Sequence, residues 1–183
     1  MKESAIPILK LITQKIEATG IFLLKVHDRI CYGCAYIGAW MMLGMAFIVA
    51  YEVTSRYFLN KPTSWAGDFT DYILFYSTFL AAAWLLKQRG HVNLTILLAR
   101  FSERSQMVIQ MINSFIGAIV SAIVIWYGVS DAWDAMVKGI VIDRAIIVPK
   151  YLLIGIIPVG FLLVFVQFIR DAFKSLQDIK GSS

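Results

Sequence analysis

Four long stretches of this chain lack charged side chains almost completely, and that feature constrains its fold more than any other. Residues 30–53 carry no charge until Glu52. As a helix, those 24 residues reach about 36 Å at 1.5 Å per residue, against a hydrocarbon core of about 30 Å. Residues 69–86 have Asp71 near their start and only apolar and hydroxyl side chains from Tyr72 to Leu86. Residues 107–129 are uncharged and residues 148–169 are uncharged after Lys150, each over enough length to cross, and the second run holds Pro158, a kink that membrane helices tolerate. In hydrocarbon each backbone N–H and C=O must be satisfied internally, so runs of this length predict an all-α integral membrane fold with four transmembrane helices. Composition agrees: 59% of residues are hydrophobic, 16% are charged and the mean hydropathy is +0.72, which removes an ordinary soluble domain. At 183 residues the chain is expected to form a single membrane domain, 1–183. The first apolar run is too long for a signal-peptide core and is expected to be retained as a span.

The basic residues lie between the runs rather than along one stripe, so the net charge of +5 reads as a topology signal and not as a nucleic-acid surface. The N-terminal segment, residues 87–106 and the C-terminal tail together hold twelve Lys and Arg; residues 54–68 and 130–150 hold five. By the positive-inside rule, both termini of this multi-pass protein are expected in the cytoplasm. Residues 5–29 repeat apolar side chains at Ala5, Ile8, Leu9, Ile12 and Ile16, with Lys10, Gln14, Lys15 and Glu17 on another face. That pattern predicts an N-terminal amphipathic interfacial helix on the lipid bilayer. Leu94, Leu97, Leu98 and Phe101 have similar spacing and predict a second such segment after the second span.

Ionisable residues deep in a membrane mark functional sites, because Arg, Lys or Asp at a helix centre costs about 2.5–3.5 kcal/mol even on insertion scales. None of the four runs has one centrally. A proton relay or an ion site carried by this chain alone is therefore disfavoured. Both histidines, His27 and His91, fall outside the runs, which excludes a haem held by paired intrahelical histidines, and no cofactor or metal is expected. Cys31 and Cys34 form a CxxC pair at the start of the first span, the spacing of a membrane thiol-redox enzyme. Such an enzyme requires a second thiol pair on the oxidising side, whereas these are the chain's two cysteines and the charge count places them at the cytoplasmic end. Gln110, Asn113, Ser114, Gly117 and Ser121 share one face of the third span and are expected to serve helix packing.

The densest signals flank the second span. Glu52 and Arg56 stand at i, i+4 with the acid first, the favoured order on a helix. Asn60, Lys61, Pro62, Thr63 and Ser64 mark a turn and a helix start, Trp65 an interfacial anchor, and Asp68 a carboxylate in the first turn near the helix's positive end. In order and spacing, Arg56-Tyr57…Asn60…Pro62, then Trp65…Asp68, then Gly90-His91 resemble the small membrane subunit (DctQ-like) of tripartite ATP-independent periplasmic (TRAP) transporters. The four-span pattern and Ile157-Pro158-Val159-Gly160 extend the likeness over nearly the whole chain. Where that family commonly has two acids after the Trp, this chain has Gly67 and Asp68, and Asp71 stands where a basic residue is common.

The resemblance implies a non-enzymatic scaffold subunit of a sodium-driven importer of an organic acid. Its implied partners are a large TRAP membrane subunit, which holds the substrate and ion sites, and a periplasmic substrate-binding protein. Glu52, Arg56, Asn60, Trp65, Asp68 and His91 are then the expected structural and partner-interface residues. Arg56 and Asp68 are expected to face each other across the external turn, and His91 to lie beyond the opposite end of the second span. The alternatives are the thiol-redox enzyme using Cys31 and Cys34, and a self-sufficient small channel or structural membrane protein.

Overall fold

The structure is a computed structural model that describes residues 5–89 and 103–181. Four helices carry almost all of it. α1 spans Ala5–Phe58, α2 Trp65–Arg89, α3 Glu103–Val137 and α4 Lys150–Gly181. Two short strands, β1 (Val141–Ile142) and β2 (Val148–Pro149), pair antiparallel between α3 and α4, with Val141 opposite Pro149 and Ile142 opposite Val148. Each helix contains a segment long and apolar enough to cross a membrane: Phe22–Phe58, Trp65–Gln88, Val108–Val137 and Lys150–Leu176.

The helices begin and end where local chemistry requires. After Phe58 the backbone turns through Asn60 at φ 51°, a left-handed conformation that Asn tolerates better than most residues. The Lys61 N–H closes the turn on the Ser55 carbonyl at 3.1 Å, and the buried Ser55 hydroxyl donates back to the Lys61 carbonyl at 2.6 Å. Pro62 prevents the helix from resuming at once. α3 stops on Gly139 at φ 58°, where the Ile140 N–H reaches Ala135 O at 3.0 Å and the Gly139 N–H reaches Met136 O at 3.2 Å. Those two bonds form a Schellman cap that satisfies carbonyls otherwise orphaned at the helix end.

Several boundaries differ from the sequence expectations. Residues 5–29 are helical, but they run into the first span without a break, so α1 is one helix of 54 residues and about 80 Å. α3 continues eight residues beyond position 129, to Val137, because Trp133, Ala135 and Met136 keep the helical apolar pattern past Asp131. The fourth span begins at Lys150 rather than 148, since Val148 and Pro149 are held extended in the hairpin. The second interfacial segment, around Leu94 to Phe101, lies outside the described residues.

The helices pack as a row: α1 against α2, α2 against α4, and α4 against α3, the last contact being the most extensive. Small residues permit the close approaches. A Cβ on Gly160 would lie 2.7 Å from the backbone oxygen of Phe79, and one on Gly117 would collide with the Phe168 ring. Ser114 and Ser121 are buried on the face that the sequence assigned to packing, whereas Asn113 of the same stripe is exposed. This is membrane-helix logic, in which van der Waals fit and hydroxyl hydrogen bonds replace a hydrophobic driving force between helices. Large apolar side chains point outward instead, among them Tyr36, Phe47, Trp126 and Phe173.

Candidate partner-binding site

Charged side chains in the spans' vicinity collect at the two ends of the row. At one end lie the α1–α2 turn and the β1–β2 hairpin, which contact each other through α2. Asp68, in the first turn of α2, accepts a hydrogen bond from the Ile146 N–H at 3.3 Å and sits 3.8 Å from Arg144. Arg144 also donates to Asp71 at 3.2 Å. The hairpin loop is thus tied to the start of α2 by one backbone bond and a guanidinium shared between two carboxylates.

This corrects the expected pairing of Arg56 with Asp68. Arg56 instead forms an ion pair with Glu52, one helical turn earlier on α1. The reason is continuity: α1 stays helical to Phe58, so i, i+4 geometry holds Arg56 on its own helix, while Asp68 turns toward the hairpin. Sequence spacing could show the Glu52–Arg56 pair but not Arg144, which lies 76 residues beyond Asp68 and reaches it only through tertiary structure. Trp65 is partly exposed and stacks on Tyr51, with ring centroids 6.3 Å apart, while Phe69 meets it edge-on at 6.2 Å. Asn60 shapes the turn. Glu52, Arg56, Asn60, Trp65 and Asp68 therefore occupy one end of the row, and His91 lies outside the described residues. Tyr57, Phe58 and Leu59 beside them are all exposed, at 73%, 82% and 62%, which gives this end an apolar rim next to the Arg56 charge.

The opposite end holds a cluster that the sequence reading did not single out. Asp28 on α1 accepts from Lys87 of α2 at 3.0 Å and from Arg170 of α4 at 2.6 Å, joining three helices through one carboxylate. Beside it His27 is buried, its Nε2–H donating to the Leu163 carbonyl of α4 at 3.1 Å, with Cys31 Sγ 3.5 Å from the same nitrogen. Cys31 is 1% exposed and packs with Ala83, Leu163 and Val164; Cys34 lies at the edge of that cluster, and both thiols are free. The charge count registered Lys87 and Arg170 only as topology markers. The available signal was a lone acid at the start of one span, level with basic residues at the ends of two others.

Among the described residues no group of three or more His, Cys, Asp and Glu could hold a metal ion. What both ends offer is anchoring within the row. The family model described as "Tripartite ATP-independent periplasmic transporters, DctQ component" matches residues 45–178. No curated protein matches the chain.

Proposed function

The chain belongs to the DctQ component family of tripartite ATP-independent periplasmic transporters, and from that premise we propose that it braces the large permease subunit of such a transporter. In this reading it also helps dock the periplasmic substrate-binding protein, in an importer that takes up an organic acid with a sodium gradient. It would lie in the bacterial inner membrane with both termini cytoplasmic, as the distribution of basic residues favours.

The observation that carries the bracing role is the division of the surface. The ionisable residues of the spans sit toward their ends, where Asp28 joins three helices and Asp68 joins α2 to the hairpin, while the lateral faces of α1 and α3 present large apolar side chains such as Phe47 and Trp126. Such a row has the means to hold a second membrane body and, among the described residues, no charged path of its own for an anion. Supporting the docking role, Arg56, Tyr57, Phe58 and Leu59 stand exposed beside Trp65 at the turn end.

The test is co-purification of the large subunit with Arg56→Ala and Trp65→Ala variants. Recovery of the large subunit should fall while the remaining complex keeps its apparent affinity for substrate and sodium. Normal assembly with altered affinity would instead put this chain in the transport site.

A further inference from the structure

A groove of about 450 Å³ runs between α1 and α2, within the range of about 300–1,000 Å³ typical of small-molecule sites. Its walls include Tyr32, Tyr36 and Met42 of α1 and Ser77, Ala81 and Trp84 of α2. Its two aliphatic hydroxyls are committed to their own helix: Ser77 donates to the Leu74 carbonyl at 3.0 Å and Thr78 to the same oxygen at 2.7 Å. Apart from the Tyr32 and Tyr36 hydroxyls, what the groove presents is mostly carbon, and an apolar occupant suits it. Its floor is tight, since a Cβ on Gly38 would come within 3.3 Å of the Ser77 carbonyl.

The mouth of the groove is cationic. Lys87, one turn beyond Trp84, holds its ammonium 5.1 Å above the centre of the Tyr32 ring while also pairing with Asp28. Lys25, Arg29, Tyr32 and Tyr36 follow one another on α1 at spacings of four, three and four, which places both cations on the face that lines the groove. Lys25 and Arg29 are exposed and make no ion pair with another described residue. Asp28 is already shared between Lys87 and Arg170, so this end of the groove keeps an excess of positive charge.

An apolar channel lying in the bilayer, with aromatic rings at its end and unneutralised cations just beyond them, matches the build of a phospholipid with a net negative headgroup. We propose that the α1–α2 groove binds an anionic phospholipid, one acyl chain lying along Tyr36, Met42 and Ala81 and the phosphate held by Lys25, Arg29 and Lys87. Bound there, the lipid would extend the contact between two helices that meet over small residues, and so would stabilise the lateral edge of the row that α1 forms.

The experiment is native mass spectrometry of the full chain released from nanodiscs containing phosphatidylglycerol and phosphatidylcholine of identical acyl chains. Retained phosphatidylglycerol should exceed phosphatidylcholine by about tenfold or more, given the typical contribution of a basic residue near a lipid phosphate. The double variant Lys25→Gln, Arg29→Gln leaves the Asp28 cluster intact and should abolish that preference. Ala39→Trp, at an exposed position lining the groove, should lower retention of both lipids without unfolding the chain. Inorganic phosphate should not compete, since it has no acyl chain. Equal retention of the two lipids, a preference that survives the double variant, retention indifferent to Ala39→Trp, or displacement by inorganic phosphate would each overturn the proposal. So would a photo-crosslinker at Tyr36 that captures a helix of another protein in membranes and no lipid.

Discussion

Asn60 and Asp28 show how single residues set the geometry of this molecule. At φ 51° Asn60 occupies a region that costs a β-branched residue most. Asn60→Val should therefore lower stability by about 1–2 kcal/mol, whereas Asn60→Gly should be close to neutral, with thermal unfolding in detergent as the measurement. Equal effects of the two substitutions would show that backbone strain does not govern the turn. Asp28 differs because its role is electrostatic and its partners lie on two other helices. Asp28→Ala leaves Lys87 and Arg170 facing each other without a counter-charge, so its cost should exceed the roughly 0–1 kcal/mol of an exposed pair. Asp28→Ala should unfold at a clearly lower temperature than Lys87→Ala, which removes one of the two pairs and keeps the other.

At the scale of elements, the informative contact joins the β1–β2 hairpin to the start of α2. Arg144 is half exposed and Asp71 more so, and screened pairs of that kind contribute about 0–1 kcal/mol. The Ile146 N–H to Asp68 bond is better shielded, because the Asp68 side chain is only 15% exposed. Arg144→Ala should thus leave the global melting temperature nearly unchanged while speeding amide hydrogen exchange in residues 141–149. Asp68→Ala, which loses the backbone bond as well, should speed it further. If neither substitution changes exchange there, the hairpin is held by its own strand pairing and not by α2. α1 illustrates the opposite case, since nothing in its local sequence breaks it from Ala5 to Phe58: no proline interrupts it after Pro7, in the first turn.

For the whole molecule, the structure places the 59–64 and 138–149 connections at one end of the row and the Asp28 cluster at the other, as the alternating direction of successive helices requires. Which end faces the cytoplasm is decided by charge. With twelve basic residues on one side and five on the other, cysteines substituted at Lys61 and Lys138 should be labelled by an impermeant reagent from outside intact cells. Cysteines at Lys2 and Lys174 should be labelled only after permeabilisation. The reverse pattern would invert the proposed topology and put the Arg56–Trp65 face in the cytoplasm, out of reach of a periplasmic binding protein.

Four spans, their approximate limits, the small-residue face of α3 and the Glu52–Arg56 pair were legible in the sequence, because each rests on local periodicity or on the length of an uncharged run. The family likeness was legible for a similar reason, as its elements follow one another over about 40 residues around α2. Tertiary structure alone decided that α2 and α4 form the centre of the row and that Asp68 bonds the distant hairpin rather than Arg56. It also decided that Asp28, Lys87 and Arg170 meet, and that α1 and α2 leave a groove between them. Periodicity shows which face of a helix is small or apolar, but in a membrane protein nearly every face is apolar. The choice of neighbour therefore falls to close backbone approaches, such as Gly160 against Phe79, and to charges brought together from far apart in the chain.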